Sequence, residues 1–414
     1  DGIVAQSVGG GGGAGGTASA SSTVRAVNLV GTLGGTGGSG GDGGGVAVHT
    51  ADGATINTAG FAAHGILAQS VGGGGGQAGD GSSTLTGELS LGLDAGGAGG
   101  AGGTGGAVAL YAEQSGGLLV TTGGDAAFGV LAQSVGGGGG LAGGGNATSA
   151  VGLTAFSIDL GSKNAPQGDA HGGSVTVNDG RYRISTAGAR AHGLVAQSVG
   201  GGGGIAGVGP ASAVNDLAIG AQQGVGAGSG GDVFVEVTPD AVIATAGEGA
   251  HAVIAQSVGG GGGIAGNWQA ADASDGEDAG NNDAGSGDGG AVTVRMGASS
   301  VRASGEEAIA VVAQSVGGGG GLGVAAGDAQ AVTGSTASAD ASGTGGAVAV
   351  YQQDGGVFSA TGAGGVGLFA QSVGPDGGGA ITLSLPGEVK AGSVAILVRG
   401  GNADNVLTLA STSV

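Results

Sequence analysis

The sequence predicts an all-β parallel β-helix, or β-solenoid. Three observations carry that prediction: a block recurring about every sixty residues, three short β-type segments in each copy, and glycine where side chains would ordinarily fill space. The block is Ala-Gln-Ser-Val-Gly, with its Gln at 6, 69, 133, 197, 256, 314 and 371, giving successive spacings of 63, 64, 64, 59, 58 and 57. Such self-similarity marks units that bury a face only by stacking on neighbours. Residues 1–379 therefore read as one continuous array, and 380–414 as a terminal coil or the start of a further repeat.

The first element of each copy is a Gly-Gly-x-Val-x-Val segment, seen at Val46/Val48, Val108/Leu110, Val175/Val177, Val233/Val235, Val292/Val294 and Val348/Val350. Alternation of β-branched and other residues is the period of a half-buried strand. The second element is a short x-Ile-x-Thr-x-Gly segment, as in Ile56-Asn57-Thr58 and Ile184-Ser185-Thr186, and the third is the apolar run before the Gln, such as Gly65-Ile66-Leu67-Ala68. The stretch from the first Val to the next Gln, such as Val46 to Gln69 or Val233 to Gln256, keeps a nearly constant length. That length suits one three-strand coil of roughly 20 to 25 residues. The default hand is right, because parallel crossovers are right-handed in nearly all cases.

A variable part separates each Gln from the next Val-x-Val, longest from Gln133 to Val175 and shortest from Gln314 to Val348. It opens with five consecutive glycines in six of the seven copies, bounded by Gly72 and Gly76, Gly136 and Gly140, Gly200 and Gly204, Gly259 and Gly263, and Gly317 and Gly321 in five of them. The seventh reads Gly374-Pro375-Asp376-Gly377, as if the array ended or changed register there. A flexible linker does not need a fixed count of five, so the tracts are expected to form ordered polyglycine-II-like layers stacked from coil to coil. A fourth apolar segment sits inside the first four variable parts, at Val24 to Leu33, Leu85 to Leu93, Val151 to Leu160 and Val214 to Ile219. The fifth carries Asp272, Asp275, Glu277, Asp278 and Asp283 instead.

Sixty residues in one open ring would enclose a hollow of roughly 200 Å perimeter at 3.3 Å per residue, with nothing here to fill it. Three equivalent coils per repeat would require the constant and variable parts to resemble one another, and they do not. The expectation is one repeat per turn, with Gln6, Gln69, Gln133, Gln197, Gln256, Gln314 and Gln371 laddered down the stack beside Ser70, Ser134, Ser198, Ser257 and Ser315. The competing reading makes these surface residues retained by duplication.

Composition narrows function. Only 9 residues are basic against 30 acidic, a net charge of −21, which excludes ordinary nucleic-acid binding. There is no Cys, hence no disulfide frame, thiolate site or Cys nucleophile. No apolar run approaches the length of a membrane-spanning helix, and no basic-then-apolar leader precedes the array. Asp1 falls inside a repeat, so a targeting or anchoring segment is expected to lie outside this stretch.

The pattern Thr58-Ala59-Gly60, then Ala63-His64-Gly65-Ile66-Leu67-Ala68-Gln69-Ser70-Val71 and the glycine tract, resembles repeats in the passenger regions of Gram-negative autotransporter (type V secreted) proteins. The resemblance covers nearly the whole chain. It implies an extracellular β-helix on the bacterial surface, held to the outer membrane by a C-terminal barrel that residues 380–414 do not contain. Family members are mostly adhesive or surface-structural, with some enzymes.

Candidate sites are few. His64, His192 and His251 lie five positions before their Gln, in a column shared with Asp1, Phe128, Ile309 and Val366. Two adjacent imidazoles are too few to hold a metal, and so mixed a column suggests a partly exposed turn. Gly37 to Asp42 matches only the start of a calcium-binding nonapeptide, and the acidic stretch Asp272 to Asp288 reads as a solvated loop. Ser recurs beside every Gln, whereas a nucleophile is singular; Asp125, Glu248 and Glu306 share a column interrupted by Ala189 and read as turn solvation. No catalytic residue, metal or cofactor is assigned. The expectation is a non-enzymatic stiff stalk or filament, self-associating or touching a host, matrix or glycan surface. The alternatives are a glycan- or ice-binding face along Thr58, Thr122, Thr186 and Thr245, and a polysaccharide-acting enzyme.

Overall fold

The computed structural model describes residues 1–9, 41–51, 53–73, 103–112, 117–137, 170–200, 228–260, 287–318 and 342–409. It also describes the backbone of strands Ala18–Ser22, Ala26–Thr32, Gly81–Leu85, Glu88–Asp94, Gly145–Ser149, Ala155–Leu160, Asn215–Ile219, Leu322–Val324 and Val332–Gly334. Three long parallel sheets wrap one axis. The first takes its eight strands from segments of the Val-x-Val type, from Val46–Thr50 through Val233–Val237 to Val406–Leu409. The second takes seven from segments of the Ile-x-Thr type, from Thr55–Thr58 to Glu388–Ala391. The third takes eight, seven from the Ala-Gln-Ser-Val blocks and one from the last coil, running from Ile3–Val8 through Val253–Val258 to Val394–Gly400. The protein is a parallel β-helix.

The register fixes the coil. Gln6 pairs with Gln69, Gln69 with Gln133, Gln133 with Gln197, and so on to Gln314 with Gln371, so each repeat advances the chain by one strand spacing. In the last turn Gln371 pairs directly with Arg399. A full coil thus needs fewer than thirty residues, and the remainder of a sixty-residue repeat is an insertion at one point of the coil. The fourth apolar segments of the first four insertions pair in register as a separate parallel sheet, Ala26–Thr32, Glu88–Asp94, Ala155–Leu160 and Asn215–Ile219. The sixth carries an antiparallel pair, Leu322–Val324 with Val332–Gly334.

Inside the coil, the alternate residues of all three sheets close one core: Val108, Leu110, Val120, Ile184, Val235, Val294 and Phe358 among them are essentially inaccessible. Period-two alternation produces this in the first two sheets, whose outward positions stay accessible, as in Val46–Thr50 and Leu118–Thr122. The third sheet differs. Ile66 and Ala68 join the inner core, whereas Leu67, Leu131, Val195, Ile254, Val312 and Phe369 form a second apolar cluster, and Val71, Val135, Val199, Val258 and Val316 a third. Its strands are buried along both faces, the environment in which a strand reads as a near-continuous apolar run.

Between the second and third sheets the chain turns through one left-handed residue in each of six turns: Ala62, Ala126, Arg190, Gly249, Glu307 and Gly364, with φ between 48° and 71°. Four of the six are not glycine, so the turn holds that conformation against its ordinary steric cost. Replacing Gly249 by Val should lower stability by about 1–2 kcal/mol in denaturant unfolding, whereas Asn at the same place should cost a few tenths. Equal midpoints for the two variants would show that the turn does not require this geometry.

Candidate functional site

The polar residues of the repeat meet along the buried third sheet, and there the chemistry concerns cohesion. Gln6 Nε2 donates to Gln69 Oε1 at 2.6 Å, and the same bond recurs from Gln69 to Gln133, Gln133 to Gln197, Gln197 to Gln256 and Gln256 to Gln314 at 2.6 Å, and from Gln314 to Gln371 at 2.5 Å. Gln69, Gln133, Gln197, Gln256 and Gln314 are fully inaccessible. A buried primary amide without partners would cost several kcal/mol; here each one is bonded to the amides above and below. The side chains sit between the Leu67 and Val71 ribs, where water cannot compete.

The serines stack in register beside the glutamines, but their hydroxyls do not bond one another. Ser70 Oγ donates to Gly44 O at 2.9 Å and accepts Gly106 N–H at 2.8 Å. Ser134 bridges Gly106 and Gly173 in the same way, Ser198 bridges Gly173 and Gly231, Ser257 bridges Gly231 and Gly290, and Ser315 bridges Gly290 and Gly346. A hydroxyl is too short to reach its copy across a strand spacing of about 4.8 Å. It reaches instead the Gly-Gly pair that leads into the first sheet, and clasps two successive coils. A Cβ on Gly105 would lie 2.5 Å from Ser134 Oγ and 2.7 Å from Val135 O, so the entering segment must be glycine there.

Ser7 and Ser372 extend the same clasp beyond the five serines that the sequence singles out; Ser7 accepts Gly44 N–H, and Ser372 donates to Gly346 O and accepts Gly379 N–H. Ser372 and Gly379 are 7 residues apart, whereas Ser134 and Gly173 are 39 apart, yet the bond is 2.8 Å in both. Where the sequence reads Gly374-Pro375-Asp376-Gly377, a tight turn replaces the insertion, with Asp376 Oδ2 accepting Gly343 N–H. The clasp is therefore a neck that closes over an insertion or over none.

Of the glycine tracts, Gly72, Gly136, Gly200, Gly259 and Gly317 each donate their N–H to the Val carbonyl of the next coil, at Val135, Val199, Val258, Val316 and Val373, and so extend the third sheet by one residue. Gly76, Gly140, Gly204, Gly263 and Gly321 lie outside the described residues, as do Gly37 to Gly40 and Asp272 to Asp283.

Other expectations are corrected. Thr58, Thr122, Thr186 and Thr245 do not form an exposed ladder: Thr122, Thr186 and Thr245 are buried, and their hydroxyls donate to Ala127 O, Ala191 O and Ala250 O at 2.5–2.6 Å, closing the turn into the third sheet; Thr58 donates to Ala63 O likewise. His64, His192 and His251 are not partly exposed but buried. They stack in one column with Phe128, the ring centroids 4.9 Å apart from His64 to Phe128, 4.9 Å from Phe128 to His192 and 5.0 Å from His192 to His251. Asp125, Glu248 and Glu306 stand exposed on separate turns, and Asp125 accepts the Ala189 N–H.

That last contact is one of a set that sequence reasoning misses. Side-chain acceptors at the corners take an N–H from the following coil: Asp1 from His64, Asp42 from Thr104, His171 from Ser229, Ser229 from Asp288, Asp232 from Ala291 and Asp288 from Thr344, at 2.8 to 3.2 Å. Thr104 also donates its hydroxyl to Asp42, and the two bonds hold the Asp42 carboxyl below its ordinary pKa. The only signal in the sequence is a column holding short acceptors one repeat upstream of the amide they serve.

Among the described residues no group of three or more His, Asp or Glu is placed to hold a metal ion. No protein-family model matches the chain, and neither the curated proteins nor the solved structures hold a match.

Two substitutions test the ladder. Gln256→Leu strands the amide hydrogen of Gln197 and the carbonyl of Gln314, and should destabilise by about 2–5 kcal/mol; Gln371→Leu removes only one ladder bond, from Gln314, and should cost about half as much. Ser257→Ala orphans Gly231 O and Gly290 N–H and should cost about 2 kcal/mol. Chemical denaturation measures all three, and a Gln256→Leu variant as stable as the parent would remove the ladder's energetic role.

Proposed function

We propose that this chain is a structural and adhesive stalk segment of a bacterial surface protein, exported as an autotransporter passenger and working outside the cell. The observation that supports the reading is mechanical continuity. One apolar core runs through the stack, with one amide ladder from Gln6 to Gln371 and one Ser-Gly clasp from Ser7 to Ser372, so load along the axis is shared by many parallel bonds. Stacked repeats of this kind gain stability additively from their neighbours. Acidity adds to it: a net charge of −21 with few aromatics opposes side-by-side aggregation of shafts. The polar groups that recur in every copy are spent on cohesion, which leaves them no catalytic role. The insertions, all issuing from one neck, are the parts free to vary and to touch a matrix or host surface.

The test is display. The chain is fused to an outer-membrane anchor on a Gram-negative cell that does not otherwise adhere, and attachment to hydrated polymer and to matrix-coated surfaces is counted against cells with the anchor alone. Several-fold greater attachment is expected. Removal of residues 134–256, which rejoins Gln133 to Ser257 in register, should leave a folded shaft shorter by two strand spacings, about 10 Å. Attachment equal to that of the bare anchor would end the adhesive reading, and loss of folding after the in-register deletion would end the modular one.

A further inference from the structure

We propose that the His64–Phe128–His192–His251 column is an acid-release latch, holding the corner between the second and third sheets closed only while its imidazoles are neutral. The geometry requires neutrality. His64 Nδ1 accepts the Phe128 N–H, His192 Nδ1 the His251 N–H and His251 Nδ1 the Ile309 N–H, each at 3.0 Å. An imidazolium has no lone pair at Nδ1, so protonation breaks the bond and sets two N–H groups against each other. These rings therefore carry their proton on Nε2. They are at most 4% exposed, and Phe128 packs in the same apolar cluster as Leu67, Leu131, Val195 and Ile254.

The charged groups around the column are few. Asp1 accepts the His64 N–H, and its α-ammonium opposes His64 protonation; Arg190 lies beside His192 and opposes its protonation; Asp125, Glu248 and Glu306 are exposed on the outer side of the turns, with Glu307 half-buried next to them. No charge is contributed by the facing third-sheet cluster or by the Thr column. Burial depresses all three imidazoles below the ordinary 6.5, His64 to about 3 with help from the Asp1 α-ammonium and His251 to about 4, while burial, His251 and Arg190 together hold His192 well below it. The sign follows: a folded-state pKa below the unfolded one gives stability that is complete above 6.5 and is lost as pH falls from there through 4 to 3. The latch covers part of the array, because the same column continues as Ile309 and Val366, which do not titrate. Acid therefore opens the corners that precede Gln69, Gln197 and Gln256, frees the Ile309 N–H that His251 holds, and leaves the corner before Gln371 closed, where Val366 N–H bonds the Ala308 carbonyl.

Pepsin digestion at pH 4 with mass mapping of the cuts tests this on the whole chain. Cleavage within 58–66, 186–194 and 245–253 should run at least about tenfold faster than within 360–366. The His64→Phe/His192→Phe/His251→Phe variant, which places at each position the ring Phe128 already supplies, should lose that excess. His251→Phe alone should lose it at 245–253, and serves if the triple variant does not fold. Imidazole resonances of the parent should keep neutral-form shifts down to pH 5. Equal cleavage at 360–366 and at the three His corners in the parent, or an excess that survives in the folded His→Phe variant, would overturn the proposal.

Discussion

The structure depends on one constraint: the polar side chains buried in the third sheet must find their partners within the stack, through the coils next to them along the axis. In an ordinary sheet the backbone ladder meets that demand and outward side chains meet solvent. Here the third sheet is covered on both faces, so Gln and Ser have no water to return to. Stacking of identical residues solves the problem for Gln, whose amide carries a donor and an acceptor in line with the axis. The serine hydroxyl, with a shorter reach, finds the neighbouring glycine pair instead. Both solutions work only if the next coil is in register, so the same bonds that hold the array together also set its period.

The Ser-Gly neck explains why the repeat is sixty residues long although the coil needs fewer than half that number. Once chain exit and chain entry are clasped, the length between them adds only a slowly growing closure entropy. The bond is the same where Ser134 and Gly173 stand 39 positions apart as where Ser372 and Gly379 stand 7 apart. Insertions of quite different composition can therefore share one scaffold, and the four that carry an apolar segment pair it in register. The corners follow a related rule: Asp, Ser and His are interchangeable wherever a short acceptor one coil earlier can take an otherwise unpaired N–H. This explains how Asp1, His64, His192 and His251 share one column, each serving the N–H of the coil that follows.

The three-strand coil, the single repeat per turn and the all-β parallel class are legible from Val-x-Val, Ile-x-Thr and the Gln spacing, because period-two alternation and self-similarity are direct consequences of strand geometry. Which side a column faces is harder to read. The third-sheet strands present an apolar run with two polar residues near its end, a pattern that suits an exposed edge as well as a doubly buried centre. The imidazoles, placed on a turn by their neighbours, look solvated for the same reason, and the Thr column looks like a flat outer ladder although its hydroxyls point into the turn. Column identity reveals what stacks on what. It does not reveal the partner across the coil, so the bond between Ser70 and Gly106 has no signature beyond the Gly-Gly pair itself.

The most direct measurement of the central claim is amide hydrogen exchange resolved at Gly106, Gly173, Gly231, Gly290 and Gly346, whose N–H groups donate to the buried seryl oxygens. Clasped necks predict protection comparable to that of the Val amides in the adjacent first-sheet strands, although each glycine stands outside any strand. Exchange at the rate of an unstructured glycine peptide would mean that the coils are not closed at their necks, and the account of the repeat built on that closure would be wrong.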